Sequence, residues 1–162
     1  MGLTVAFWIL ALVTIAAALG VIVQKNVFRS ALSLIACLIA VAGIFVTLSA
    51  DFLAGAQILV YVGAISVVII LAIMLTHEFS QGNPSNRLKI PALIIAAAFF
   101  GLVTFAVINT DWKISQVPPT TPTTSTLAEK LFGSSGFVLP LEIVAVLILA
   151  VIIGAIVIAR EK

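Results

Sequence analysis

Only a few side chains in this sequence are able to do chemistry, and most of them sit in one apolar run. Residues 53–75 carry no formal charge, yet Gln57 and Tyr61 lie among them, followed by Val62, Gly63 and Ser66. Side chains four apart share a helix face, so Gln57 and Tyr61 form a row that Ala64 continues, while Gly55, Gly63 and Ser66 lie on another side. At the helical rise, Tyr61 is about 12 Å from the Leu53 end, close to the midplane of a hydrocarbon layer roughly 30 Å thick. A phenol at that depth orders waters, hydrogen-bonds to a neighbouring helix, or fills an interface with its ring. Gln57 forms hydrogen bonds but cannot take up and release a proton near neutral pH, which makes it structural glue. Gly63 either lets two helices approach closely or eases a change of backbone.

Glu142 is the only carboxylate inside an expected helix, about five residues from the helix start. A charge at the centre of a membrane helix costs on the order of 2.5–3.5 kcal/mol, and less near an end. Glu142 is therefore either a protonatable station or an anchor for a buried polar cluster, or else a side chain that reaches out to headgroups or caps nearby amides, helped by Pro140 in the first turn. His77 and Glu78 follow the end of the 53–75 run and suit a solvated helix cap. One histidine makes no metal site, and the lone Cys37 makes neither a disulfide nor a metal pattern.

The elements that hold these residues follow from composition. With 162 residues, 63% hydrophobic, 9% charged and a mean hydropathy of +1.35, the chain is read as an all-α integral membrane protein in a single domain, 1–162. Its apolar runs lack the alternation of barrel strands. Five spans are expected, at about 3–23, 30–50, 53–75, 90–108 and 137–159. The first has no basic start and reads as a retained helix rather than a leader. Along the second, Ser33, Ala36, Ala40, Gly43 and Thr47 form a small-residue stripe that admits a close neighbour. Residues 109–136 form the longest loop. Its PPTTPTTST core is expected to be extended, with a short amphipathic turn opening at Thr126 and ending at Gly133. Lys25, Arg29, Arg87, Lys89, Arg160 and Lys162, six of the eight basic residues, fall on one side. The positive-inside bias then puts the N-terminus and the 109–136 loop outside and the C-terminus in the cytoplasm. Trp8 and Trp112 suit anchors at the outer interface.

The run AGAQILVYVGAISVVIILAIML resembles the third transmembrane helix of subunit J (chain 6) of proton-pumping NADH-quinone oxidoreductase, respiratory complex I. The closing run FVLPLEIVAVLILAVIIGAIVIAR is similar to the last helix of the same family, with Leu139, Pro140 and Glu142 matching its Leu-Pro-x-Glu and Leu141 standing where the family commonly has Phe. The resemblance implies a π-bulge around Tyr61, Val62 and Gly63 that forms and relaxes during turnover. It also implies a subunit without a redox centre in a cell's inner (plasma) membrane. NADH, FMN, iron-sulfur clusters and quinone would sit on other subunits, and the partners would be membrane subunits A, H, K and N besides the lipid bilayer. Phosphate-cradling glycine loops and cysteine or paired-histidine ligand patterns are lacking, and no nucleic-acid partner is expected. Two other classes stay open: the same subunit in a related ferredoxin-linked complex, and a small autonomous membrane carrier. A third, purely structural role would leave its helices only holding others in place.

Overall fold

The computed structural model describes residues 1–76, 89–112, 122–133 and 136–160. His77, Glu78, Arg87, Lys113 and Lys162 fall outside these, and with them the expected cap at His77. The described residues form helices and no strand: α1 (Gly2–Val23), α2 (Val27–Thr47), α3 (Asp51–Leu75), α4 (Lys89–Asn109), the short α5 (Thr123–Phe132) and α6 (Val138–Ala159). All but α5 are long and apolar enough to cross a membrane, making this a five-span, all-α membrane fold.

The first connection is shorter than the basic loop suggested. α2 starts at Val27, not near Ser30, because the Asn26 side chain accepts hydrogen bonds from the backbone N–H groups of Phe28 (3.0 Å) and Arg29 (3.2 Å). Such a cap satisfies donors that the first helical turn leaves open. α1 and α2 then pack as a tight pair. A Cβ on Gly43 would stand 3.0 Å from the Leu10 methyl groups, and one on Gly20 would stand 3.2 Å from Ser33 Oγ. Near the turn, Gln24 Nε2 donates to Ser33 Oγ at 2.6 Å and Ser30 Oγ donates to the Val21 carbonyl at 2.6 Å. Of the expected small-residue stripe, Ser33 and Gly43 meet α1 and Ala40 is buried, whereas Ala36 is exposed.

α2 ends in a Schellman motif: the Ala50 N–H reaches the Phe45 carbonyl at 2.9 Å and the Ser49 N–H reaches the Val46 carbonyl at 3.0 Å. Ser49 occupies the left-handed position, φ 57°, where glycine is the usual residue. The chain thereby reverses within three residues into α3, which packs back along α2. The buried side chains are Ala31, Ala40 and Ala42 on α2 and Ala54, Gln57 and Ser66 on α3. The core is thus α2, flanked by α1 and α3.

Part of the PPTTPTTST run, expected to be extended, is helical from Thr123 onward. Pro122 lacks an N–H and precedes a helix without loss. Its carbonyl accepts from Ser125 Oγ at 2.8 Å, and Leu127 and Leu131 supply a half-buried face. Gly133 ends the helix, donating to the Glu129 carbonyl at 2.8 Å, where a Cβ would collide with that carbonyl. α4 and α6, by contrast, are bare. Every residue from Ile90 to Asn109 is exposed, as is nearly all of α6, so lipid or other proteins must cover them. Polar side chains on and just beyond α4 bond back to the helix itself: Thr104 Oγ1, Asn109 Nδ2, Thr110 Oγ1 and Trp112 Nε1 donate to the carbonyls of Phe100, Phe105, Ala106 and Val107.

Candidate functional site

α3 is not one helix but three pieces. Asp51–Ala56 and Ser66–Leu75 are α-helical, and Gln57–Ile65 between them is π-helical. A π-helical turn adds a residue to the loop closed by each backbone hydrogen bond. Such turns are uncommon and are found mostly at functional sites. The expected Tyr61–Gly63 position of the irregularity lies inside this stretch, which is longer than a single bulge.

Each polar or small side chain around the stretch has a distinct place. Gln57 is buried, and its Nε2 donates to the Leu38 carbonyl of α2 at 3.4 Å. Ser66 is fully buried; its N–H donates to the Tyr61 carbonyl, and its Oγ donates to the same oxygen at 2.7 Å. Both bonds reach back five residues, whereas a helical serine ordinarily reaches back three or four. Gly63 is exposed, and a Cβ on it would lie 3.3 Å from the Ile58 carbonyl, again five residues back. Its missing side chain spares the wider turn a contact tighter than ordinary at this point.

Tyr61 is 48% exposed in the isolated chain and Val62 is half-buried. The structure therefore separates Gln57 from Tyr61 and Ala64, which α-helical spacing puts in one row: Gln57 is inside, the other two outside. Ser66, assigned by that spacing to another side, joins Gln57 instead. The π-helical stretch is the cause, because it breaks the 3.6-residue period on which the expectation rested. Glu142 lies in the first turns of α6, exposed and apart from the π-helical stretch, since the neighbour α6 touches most is α5.

One contributor had no signal in the sequence. Thr123 Oγ1, at the start of α5, accepts the backbone N–H of Phe52 at 3.3 Å. α3 begins after Ala50, which has no side chain able to cap it, so the first residue of α5, 71 positions after Phe52, supplies an acceptor. α3 thus has one end tied from outside, one polar anchor to α2 and a π-helical midsection.

The fold and this site define a multi-pass helical membrane protein with two helices left open to neighbours. The chain belongs to the NADH-ubiquinone/plastoquinone oxidoreductase chain 6 family, whose sequence model matches residues 17–158. It is 39% identical over 161 residues to an NAD(P)H-quinone oxidoreductase chain 6 of Synechocystis sp., covering 97% of this chain and 80% of that protein. A chloroplastic NAD(P)H-quinone oxidoreductase subunit 6 of Mesostigma viride is 40% identical, covering 92% of this chain and 79% of its own. Subunit J of an F(420)H(2) dehydrogenase of Methanosarcina mazei is 36% identical, covering 98% and 92%.

Proposed function

We propose that this chain is a membrane-arm subunit, without a redox centre of its own, that couples quinone reduction on other subunits to proton translocation. The observation that carries the reading is the π-helical stretch Gln57–Ile65 in the middle of α3. Conversion of this stretch to α-helix moves backbone hydrogen bonds from the fifth to the fourth preceding carbonyl and turns one half of α3 against the other. With Tyr61 and Val62 on the turning segment, the two registers make or break a hydrated path toward carboxylates on neighbouring subunits. The helix gates protons rather than carrying them, with Glu142 on α6 as a second, protonatable candidate on the path.

Membrane subunits of the A, H, K and N kinds are the proposed neighbours, and they would cover α4 and α6. The proposed setting is a cell's inner membrane, with the N-terminus outside and the C-terminus in the cytoplasm. NADH, FMN, iron-sulfur clusters and quinone would bind elsewhere in the complex. The Methanosarcina relative supports a second reading in which the same subunit serves a complex with another electron donor. The donor is chosen by other chains in either case.

Replacing Gly63 by valine in the intact complex tests the gate. A β-branched side chain facing the Ile58 carbonyl opposes the π register, so proton translocation should fall while the assembled complex persists. Undiminished pumping in that variant would leave the helix a purely structural role. An autonomous carrier predicts flux from this chain alone in liposomes, which the coupling role does not.

A further inference from the structure

The short α5 is held at both ends by residues that begin membrane spans. At its start Thr123 Oγ1 accepts the N–H of Phe52, in the first turn of α3. At its end the Lys130 carbonyl accepts, at 2.9 Å, the N–H of Phe137, which immediately precedes α6. The turn into α6 is tight, since a Cβ on Gly136 would stand 2.7 Å from the Lys130 carbonyl oxygen and 2.9 Å from that of Gly133. α3 and α6 start on the same side of the membrane, because α3 and α4 between them cross it twice. Both ties therefore lie at one level, and α5 runs along the boundary between hydrocarbon and headgroups rather than across it.

At about 100° per residue, Leu127, Leu131, Ala128 and Phe132 fall within an arc of about 140° that admits one polar residue, Thr124. Ser125, Thr126, Glu129 and Lys130 occupy the opposite arc. The rest of the chain covers only one edge of the apolar arc: Leu127 and Leu131 are half-buried, whereas Ala128 is exposed and Phe132 is 72% exposed. Exposed aromatic rings stand at the same level on the neighbouring elements, Phe137 before α6, Phe52 at the start of α3 and Trp112 just past α4. Aromatic residues gather at this depth in membrane proteins, where an amphipathic ring meets both headgroups and hydrocarbon. The apolar edge of α5 is thereby continuous with the surface of the spans themselves. We infer that α5 is an interfacial helix: Ala128 and Phe132, with Phe137, form a lipid-binding edge that rests on acyl chains, while Lys130 extends to lipid phosphates. Glu129 beside Lys130 leaves the polar arc without net charge, so the edge takes phospholipid through its apolar surface and needs no anionic headgroup. Lipid contact of this kind depends on the membrane fold alone, whatever α3 does for protons.

Photoreactive p-benzoylphenylalanine in place of Phe132, or of Phe137, in the full chain within its intact membrane complex tests this edge. The complex is irradiated in nanodiscs of zwitterionic phospholipid, with or without added anionic lipid, and the covalent products on this chain are identified by mass spectrometry. Phospholipid adducts should dominate at both positions, at least ten-fold above those from the same probe in place of Glu129 on the polar arc. Their yield should be the same in the two kinds of nanodisc. Products joined mainly to another protein chain, lipid adducts no more frequent than at position 129, or adducts that need anionic lipid would each overturn the inference. Quinone reduction by each variant before irradiation serves as the check on assembly. Phe132 and Phe137 belong to different elements, so either assembled variant decides the matter.

Discussion

A methyl group at position 63 would do two things at once. It would crowd the Ile58 carbonyl, 3.3 Å from the Cβ position, and it would favour ordinary α-helix by up to about 1 kcal/mol relative to glycine. Both effects oppose the π register, so Gly63→Ala should shift the balance between registers by about 1–2 kcal/mol, a factor of roughly 5–30, read as fewer protons moved per quinone reduced. Gln57→Leu is a different case. Removing its bond to the Leu38 carbonyl should cost about 0.6 kcal/mol, the average for such bonds between membrane helices. A small fall in the thermal inactivation temperature of the complex, without loss of proton transfer through the glutamine itself, is the expected outcome. Depth and residue type drew attention to Tyr61 and Gly63, and the family resemblance placed an irregular turn there, which falls inside the π-helical stretch. The partnership of Gln57 with Ser66 was not legible, because residue spacing translates into faces only when the period is known, and here it changes within the helix.

The elements divide by how local their determinants are. Asn26 caps α2 through its own neighbours, and Asn26→Ala should destabilise the α1–α2 pair by about 1 kcal/mol, measurable as a lower inactivation temperature. Ser49 holds a left-handed conformation, φ 57°, that costs an L-residue about 1–2 kcal/mol; Ser49→Gly should raise that temperature. Thr123→Val removes the acceptor for the Phe52 N–H while keeping the shape of the side chain. If this tie fixes the N-terminal half of α3, the variant should lower coupling with little effect on assembly. Long apolar runs made the five membrane helices legible, since length and hydropathy alone decide them. The start of α5 was hidden by a run of prolines and threonines whose helical turn depends on Pro122, Ser125 and the apolar pair Leu127 and Leu131.

As a whole molecule, the chain is thinly packed: among the described residues six side chains are buried, four of them alanine. A protein so thinly packed, with α4 and α6 exposed along nearly their full length, is built to be completed by neighbours. Relatives named for NAD(P)H-quinone oxidoreductase and for F(420)H(2) dehydrogenase match it at 39% and 36% identity. Purification through a tag on this chain in a mild detergent should bring quinone-reducing activity with it; recovery of a lone polypeptide under conditions that preserve large assemblies would count against membership of such a complex. The central claim, that α3 changes register, is tested most directly by determining the structure of the intact complex at rest and trapped during turnover. The Ser66 N–H should bond the Tyr61 carbonyl in one state and the Val62 carbonyl in the other. The same π-helical stretch in every state, with only lipid against Tyr61 and Val62, would contradict it.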